Sequence, residues 1–497
     1  MATQIAAPPR ADPTEGRPLP SIIQGGMGAA VSSWRLASQV AQAGQLGVVS
    51  GIGLDMVLAR RLQNGDKGGH VRRALAAFPS PAVAERAIDE YFLPHGRDAA
   101  QAYAAVPKLA IEQTREAQEL AILGNFVEVW LAKEGHSGLV GVNYLEKVQM
   151  ATPAAAYGAM LAGVDYVLMG AGLPREIPRL LGQLVQHAAV AFPVDVAGAE
   201  PGRFSVSLDP VDLLGASLPE LTRPRFLAIV SAHVLADYLA RDEAIRPDGF
   251  VIEGPQAGGH NAPPRGKVVL DDAGQPQFGP RDYADLSKVA AIGLPFWLAG
   301  TYGTPERLVA AQAAGAVGVQ VGTLFALSTD SNFDPAIREQ LVAHVADGTL
   351  TVTTDLRASP TGFPFKVADL SGSLSDADVA AARPRLCDLG FLGIPFVKPN
   401  GEVDTRCSAG PERPFARKGG KPEDAAGRLC LCNALMANVG LGQTRATGYV
   451  ERPLITLGAD LEGPRRLAQL HPDGWTAPQA LDWLLAPRTT EPVPSES

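Results

Sequence analysis

A (β/α)₈ barrel is the fold class that the sequence predicts, and three observations predict it. Eight short apolar runs recur along the chain, they are mostly unbroken rather than alternating, and most are followed by Ala- and Leu-rich stretches of helical period. Unbroken apolar runs are what parallel strands covered on both faces require, and eight strand–helix units in one order point to a closed barrel. A doubly wound open sheet shares the alternation and is the structural alternative.

The runs are, in order, "SIIQGG" (21–26), "LGVVSG" (46–51), "GLVGVNYL" (138–145), "DYVLMGAG" (165–172), "RFLAIVS" (225–231), "GFVIEG" (249–254), "PFWLAG" (295–300) and "GVQVGT" (318–323). Helical stretches between them include 32–44, 152–163, 233–244 and 304–315, several opening on Ser or Thr and closing on Gly. Residues 54–137 are too many for one crossover. Their pattern is helical, so they read as an insertion on the barrel rim, a lid or an oligomer contact such as a homodimer face. Residues 190–222 are a second insertion, with a hairpin expected around "EPGR". The domain plan is a lead at 1–20 expected to be disordered, a barrel at 21–335, a C-terminal elaboration at 336–485 and a tail at 486–497.

Composition excludes several function classes. The 497 residues are 46% hydrophobic and 19% charged, with formal net charge -9 and pI ≈ 5.5. That acidic balance argues against nucleic acid or anionic membrane as a partner. No apolar stretch reaches the roughly 20 residues a bilayer span needs, and the N-terminus has no apolar signal core. A soluble, cytoplasmic protein acting on a small molecule is the expectation.

Barrels place their functional loops at the C-terminal ends of the strands, and here those ends are rich in glycine: "QGGMGA" after the first, "GAG" with Gly170 after the fourth, "QAGGH" after the sixth, "AGTYGT" after the seventh and "VGT" after the eighth. The last two loops form the usual phosphate site of barrel enzymes. Gly300, Thr301 and Gly303, with Gly322 and Thr323, would supply N–H donors and hydroxyls to a phosphate. A Rossmann fingerprint is absent, because "GLGQTRATG" (440–448) follows no convincing strand.

The stretches "IIQGGMGAAVSSWRLASQVAQAGQLGVVSG", "VIEGPQAGGH" and "LAGTYGTPERLVAAQAAGAVGVQVGTLFA" resemble the nitronate monooxygenase (2-nitropropane dioxygenase) family, a relative of the FMN-dependent enoyl-acyl-carrier-protein reductases. The resemblance covers most of 21–51 and 138–335 and fades in the C-terminal third. It implies FMN. By it, Gly26 and Met27 run along the flavin ring, Asn143 lies beside it, and Ala257, Gly258 and Gly259 border it. Gly300, Thr301, Gln320, Gly322 and Thr323 match the FMN phosphate cradle, and His260 matches the histidine that serves as base. The family usually has a second glycine where this chain has Thr301, which puts the cradle's backbone geometry in question.

A histidine titrates near neutrality and can take a proton from carbon, so His260 is the candidate catalytic residue. His233, just past the fifth strand, competes for that role or is a helix-start residue. All four cysteines, Cys387, Cys407, Cys430 and Cys432, fall close together near the C-terminus. They read as a zinc site, an iron–sulfur cluster or four free thiols. The loop "TTDLRASPTGFPFKV" (353–367) has no regular period, and Phe363 and Phe365 either cover an apolar substrate or pack at the surface.

Three functions follow. The first is an FMN-dependent oxidoreductase of nitronate monooxygenase type, His260 deprotonating a carbon acid and O₂ reoxidising the flavin. The second is an NAD(P)H-dependent enoyl reductase acting on acyl thioesters. The third is a non-catalytic flavin-binding or assembly subunit.

Overall fold

The computed structural model describes residues 16–486. The apolar runs form β1 (Ile22–Gln24), β2 (Leu46–Ser50), β3 (Val140–Leu145) and β4 (Tyr166–Gly170). The expected hairpin follows as the antiparallel pair β5 (Val190–Val194) and β6 (Phe204–Leu208). Then come β7 (Arg225–Val230), β8 (Gly249–Glu253), β9 (Phe296–Ala299) and β10 (Gly318–Val321). All but the hairpin pair in parallel into a closed barrel, in the order β1-β10-β9-β8-β7-β4-β3-β2. Closure is what separates this fold from the open sheet that shares its sequence pattern.

Why the runs are unbroken is visible in where their side chains go. Ile23, Val48, Leu168, Val251 and Trp297 fill the barrel interior as one cluster. Their neighbours Ile22, Val49, Val167, Phe250 and Leu298 pack outward under the helices. Both faces are dry, so alternation would leave a polar side chain buried on one of them. The interior is closed at its lower end by Trp297, whose Nε1 donates to the Pro20 carbonyl at 2.8 Å. Arg17 donates to Ser137 O at 2.8 Å. The end of the 1–20 lead is therefore tied to the barrel, not loose; residues 1–15 lie outside the described residues, as does all of the tail beyond Ala486.

Residues 54–137 are helical: α2 (Leu54–Gln63), α3 (His70–Ala76), α4 (Pro81–Tyr91) and α5 (Arg115–Lys133). The last of these packs against α1 (Trp34–Gln42) and α6 (Thr152–Leu161) and against β2 and β3, so α5 is the barrel's own crossover helix. The added material is α2 to α4 and the segment after them. It meets the C-terminal elaboration: Arg60 donates to Leu441 O at 2.5 Å, and Tyr103 N to Gln443 Oε1 at 2.8 Å.

The C-terminal elaboration shares the barrel's core, since Ile455, Leu457 and Trp475 belong to the cluster that holds α1 and β10 side chains. It contains two antiparallel pairs, β11 (Val352–Asp355) with β12 (Phe365–Ala368), and β13 (Ile394–Val397) with β14 (Val403–Arg406). The stretch without regular period is thus the β11–β12 hairpin and its loop. Among the described residues no helix is long and apolar enough to cross a membrane.

Candidate active site

Every cofactor-binding position predicted from the sequence, and His260, lines one cavity of about 250 Å³ at the C-terminal ends of the strands. The loop after β1 is set by two buried side chains. Gln24 Oε1 accepts from Val48 N at 3.1 Å and its Nε2 donates to Ser32 Oγ at 3.0 Å. Ser32 Oγ in turn accepts from Met27 N at 3.0 Å. Gly26 and Met27 are thereby fixed along the cavity wall, and Gly26 lies so close to Asn143 that a Cβ would stand 2.4 Å from the Asn143 Cβ.

The cavity has two chemically different ends. At one, the loops after β9 and β10 meet. Gly300 takes φ +115°, whereas Thr301 is not among the residues with positive φ. The left-handed freedom sits at Gly300, so threonine at 301 costs the cradle nothing. The hydroxyl of Thr323 accepts from Gly458 N at 2.9 Å, so it holds the C-terminal segment while the main chain of 322 and 323 borders the cavity. Asp460 also lines this end, paired with Arg307. At the other end Ile52, Leu145, Leu392, Leu431, Leu435 and Met436 make an apolar extension.

Two polar atoms in the cavity wall are buried without a partner, Asn143 Oδ1 and Gln320 Oε1. Buried orphan amides are uncommon. Asn143 lies against Gly26 and Gln320 against Gly25, where a flat heterocycle with hydrogen-bonding groups on its edge would satisfy them.

His260 is held from both sides. Its Nε2 is 2.7 Å from Ser359 Oγ, which lies 2.7 Å from Thr361 Oγ1. Its ring meets Phe365 edge-on at 4.9 Å. The backbone on either side is strapped to β12 and its approach by Lys366 N to Gly259 O and Asn261 N to Pro364 O, each 2.9 Å. Gly258 permits a further approach, since a Cβ there would stand 2.9 Å from the Leu457 carbonyl carbon. Protein surrounds the ring except where its edge meets the cavity, and this burial, with the nearby Lys147 ammonium, lowers its pKa from 6.5 to about 4. The imidazole is neutral at pH 7, which makes it a weak base. His233 does not line the cavity; its Nδ1 accepts from Asp285 N at 3.2 Å at the start of a helix.

Glu253, the last residue of β8, also lines the cavity and carries a proton at neutral pH because burial raises its pKa from 4.5 to about 8. The unfolded carboxyl ionises from 4.5 and the folded one only near 8, so its contribution to stability is complete below pH 4.5 and is lost as pH rises through 8. Glu253→Gln should therefore gain stability relative to the unchanged chain across that interval, measured by urea midpoints. A difference that is flat with pH would show an ionised Glu253.

Sequence reasoning missed Glu253, Ser359, Lys147 and the 456–460 segment. A buried strand ending on an acid was a usable signal for Glu253; the others reach the site from distant sequence and left no local mark.

The four cysteines, clustered in the sequence, also stand close enough in space to act on one another's thiols. All four are free, and only Cys432 lines the cavity. Among the described residues no group of three or more His, Cys, Asp or Glu side chains is placed to hold a metal ion. Burial and neighbouring thiols push Cys407 up to about 12 and raise Cys387 and Cys432.

Residues 223–361 match the family model described as nitronate monooxygenase. A curated relative from Mycobacterium tuberculosis, (3aS,4S,5R,7aS)-5-hydroxy-7a-methyl-1-oxo-octahydro-1H-indene-4-carboxyl-CoA dehydrogenase, is 30% identical over 106 residues, 21% of this chain. The match spans only 26% of that relative's length. Among solved structures, FabK from Thermotoga maritima aligns at 17% identity and TM-score 0.43, covering 94% of this chain and 91% of that one. Nitroalkane oxidase from Streptomyces ansochromogenes aligns at 16% and 0.42, covering 95% and 96%. The enoyl reductase domain of MlnA from Bacillus amyloliquefaciens aligns at 10% and 0.45, covering 96% of each.

Proposed function

We propose that this chain, whose residues 223–361 carry a nitronate monooxygenase domain, is an FMN-dependent oxidoreductase that reduces α,β-unsaturated acyl thioesters. The observation that carries this reading is the apolar extension of the cavity beyond His260, which suits a hydrocarbon chain better than a small nitronate. The relative that acts on a carboxyl-CoA substrate supports the thioester class. Asn143 and Gln320 would meet the edge of the flavin, and the main chain at 300–301 and 322–323 its phosphate. The flavin, when bound and reduced, supplies hydride.

His260 has a different part from the strong base expected of it. Because it is neutral, it can donate one N–H to the thioester carbonyl while Ser359 engages Nε2, polarising the double bond. Protonated Glu253 is the group in the same cavity that holds an acidic proton. Neither side chain sets a charge beside an apolar substrate, and apolar walls exclude water.

Nitronate oxidation is the second reading, favoured by the family match at 223–361; a substrate that arrives already deprotonated needs no strong base. Anaerobic flavin reduction separates the readings. Bleaching by NAD(P)H followed by recovery of colour on adding an enoyl thioester supports the reductase. Bleaching by an alkyl nitronate without nicotinamide supports the oxidase. Response to neither leaves a flavin-binding or assembly role.

The flavin placement has its own test. Gly26→Ala forces a Cβ into Asn143, and overpacking of this kind costs about 1–3 kcal/mol. FMN should bind roughly ten- to hundredfold more weakly, read by fluorescence titration. Unchanged affinity would move the ring away from the β1 loop.

A further inference from the structure

Three cavities meet at one side chain. Phe391 borders the candidate active-site cavity, a small one of about 20 Å³ beneath the helical insertion, and an outer one of about 240 Å³. The ring is half-buried in a turn closed by Gly393 N to Gly390 O at 2.9 Å. It packs against two separate hydrophobic clusters, one containing Phe365 and Leu431, the other Leu54 and Met436. One edge rests on Gly53, where a Cβ would stand 3.0 Å from Phe391 Cε2 and where φ is +65°. A side chain between two clusters, and not enclosed within either, can change rotamer without dismantling a core.

The outer cavity is suited to hydrocarbon. Leu109, Val194, Phe363 and Ile394 line it. Its polar side chains are already engaged. Gln149 donates to Asp195 Oδ2 at 3.1 Å and accepts from Asp195 N at 2.7 Å. Lys147 pairs with Glu146 at 3.0 Å. An amide-bearing arm would find few free partners here, whereas an alkyl chain requires none.

We infer that Phe391 is a chain-length gate: it divides the flavin chamber from the outer cavity, and its swing admits the distal hydrocarbon of a long acyl substrate. The inference rests on the thioester reading for the identity of that substrate. The rejection of longer chains by a closed Phe391 is steric, and pockets discriminate single methylenes by roughly tenfold or more.

The test uses the full FMN-loaded chain and a series of enoyl N-acetylcysteamine thioesters from crotonyl to decenoyl. Phe391→Ala should raise the decenoyl-to-crotonyl ratio of kcat/KM by about tenfold, and Phe391→Trp should lower it. Phe391→Leu, milder in volume, keeps the comparison if the alanine variant fails to fold. A second readout needs no turnover: calorimetric affinity for saturated decanoyl relative to butyryl thioester should rank alanine above wild type above tryptophan. Turnover with one length profile in all variants overturns the gate and leaves the reductase standing. Binding that follows the ranking without any thioester turnover keeps the gate and removes the reductase. Binding indifferent to residue 391 overturns the gate in either case.

Discussion

Replacing His260 with alanine is expected to lower kcat/KM by about 10²–10³-fold, the loss usual when one preorganised donor to a developing oxyanion is removed, while leaving the proposed FMN bound. The two effects separate because the polar contact of the ring is with Ser359, and its packing partner is Phe365; neither belongs to the phosphate loops. Steady-state turnover reads the first and flavin absorbance of the purified variant the second. Ser359→Ala removes the anchor of the ring together with the contacts of Ser359 Oγ to Thr361, and with the anchor worth about 0.5–1.5 kcal/mol it should slow turnover by roughly tenfold or less. The pH profile carries a further mark. A histidine with its pKa near 4 stays neutral through weakly acidic solution, so no step should appear in the rate near pH 6.5, where an unperturbed imidazole would titrate. Full activity in His260→Ala would remove the residue from the chemistry.

Glu451→Ala is expected to cost about 3–5 kcal/mol, the penalty for breaking a buried charge pair from one side. Glu451 has a fully buried side chain and receives the Arg383 fork at 2.8 and 3.0 Å and Arg445 Nε at 3.1 Å. Arg445 also reaches Asp388 at 3.1 Å, which takes a bond from Asn433 at 2.8 Å and lies 3.8 Å from the buried Arg60 of α2. Without Glu451 the guanidinium of Arg383 keeps, among the described residues, the Leu386 carbonyl at 3.4 Å. Scanning calorimetry should show a lowered transition, and limited proteolysis should find new cuts in the C-terminal elaboration first. The double change Arg383→Met with Glu451→Leu removes both charges and should recover much of the loss. A single variant as stable as wild type would mean the pair is open to water.

The barrel was legible because parallel strands buried on both faces have no other way to read. Phe250-Val251-Ile252 must be apolar throughout when Val251 points inward and its neighbours outward. The hairpin at 190–208 was legible from its turn residues, and the cavity from glycines whose positions at strand ends the fold dictates. Two things resisted. The cysteines are close in sequence and in space, and burial raises the thiols of Cys387, Cys407 and Cys432, but nothing in their spacing reports burial. The second side of the site resisted because Ser359, Phe391 and Thr456 reach it through tertiary packing, which local periodicity does not encode. Gly258 illustrates the overlap: its glycine is needed where Leu457 presses against the loop, a neighbour some 200 residues away with no trace in the motif itself.

That neighbour sets a schedule. Gly259 N donates to Thr456 Oγ1 at 2.8 Å, and Gly458 N to Thr323 Oγ1 at 2.9 Å, so the wall of the pocket is finished by residues made long after the eighth barrel strand. At ribosomal speeds the interval between Thr323 and Gly458 is on the order of ten seconds. During that time a nascent chain holds all eight barrel strands and still lacks the segment that completes the cavity wall. Uptake of the proposed FMN would then act as a timer, reporting that translation has run past residue 458.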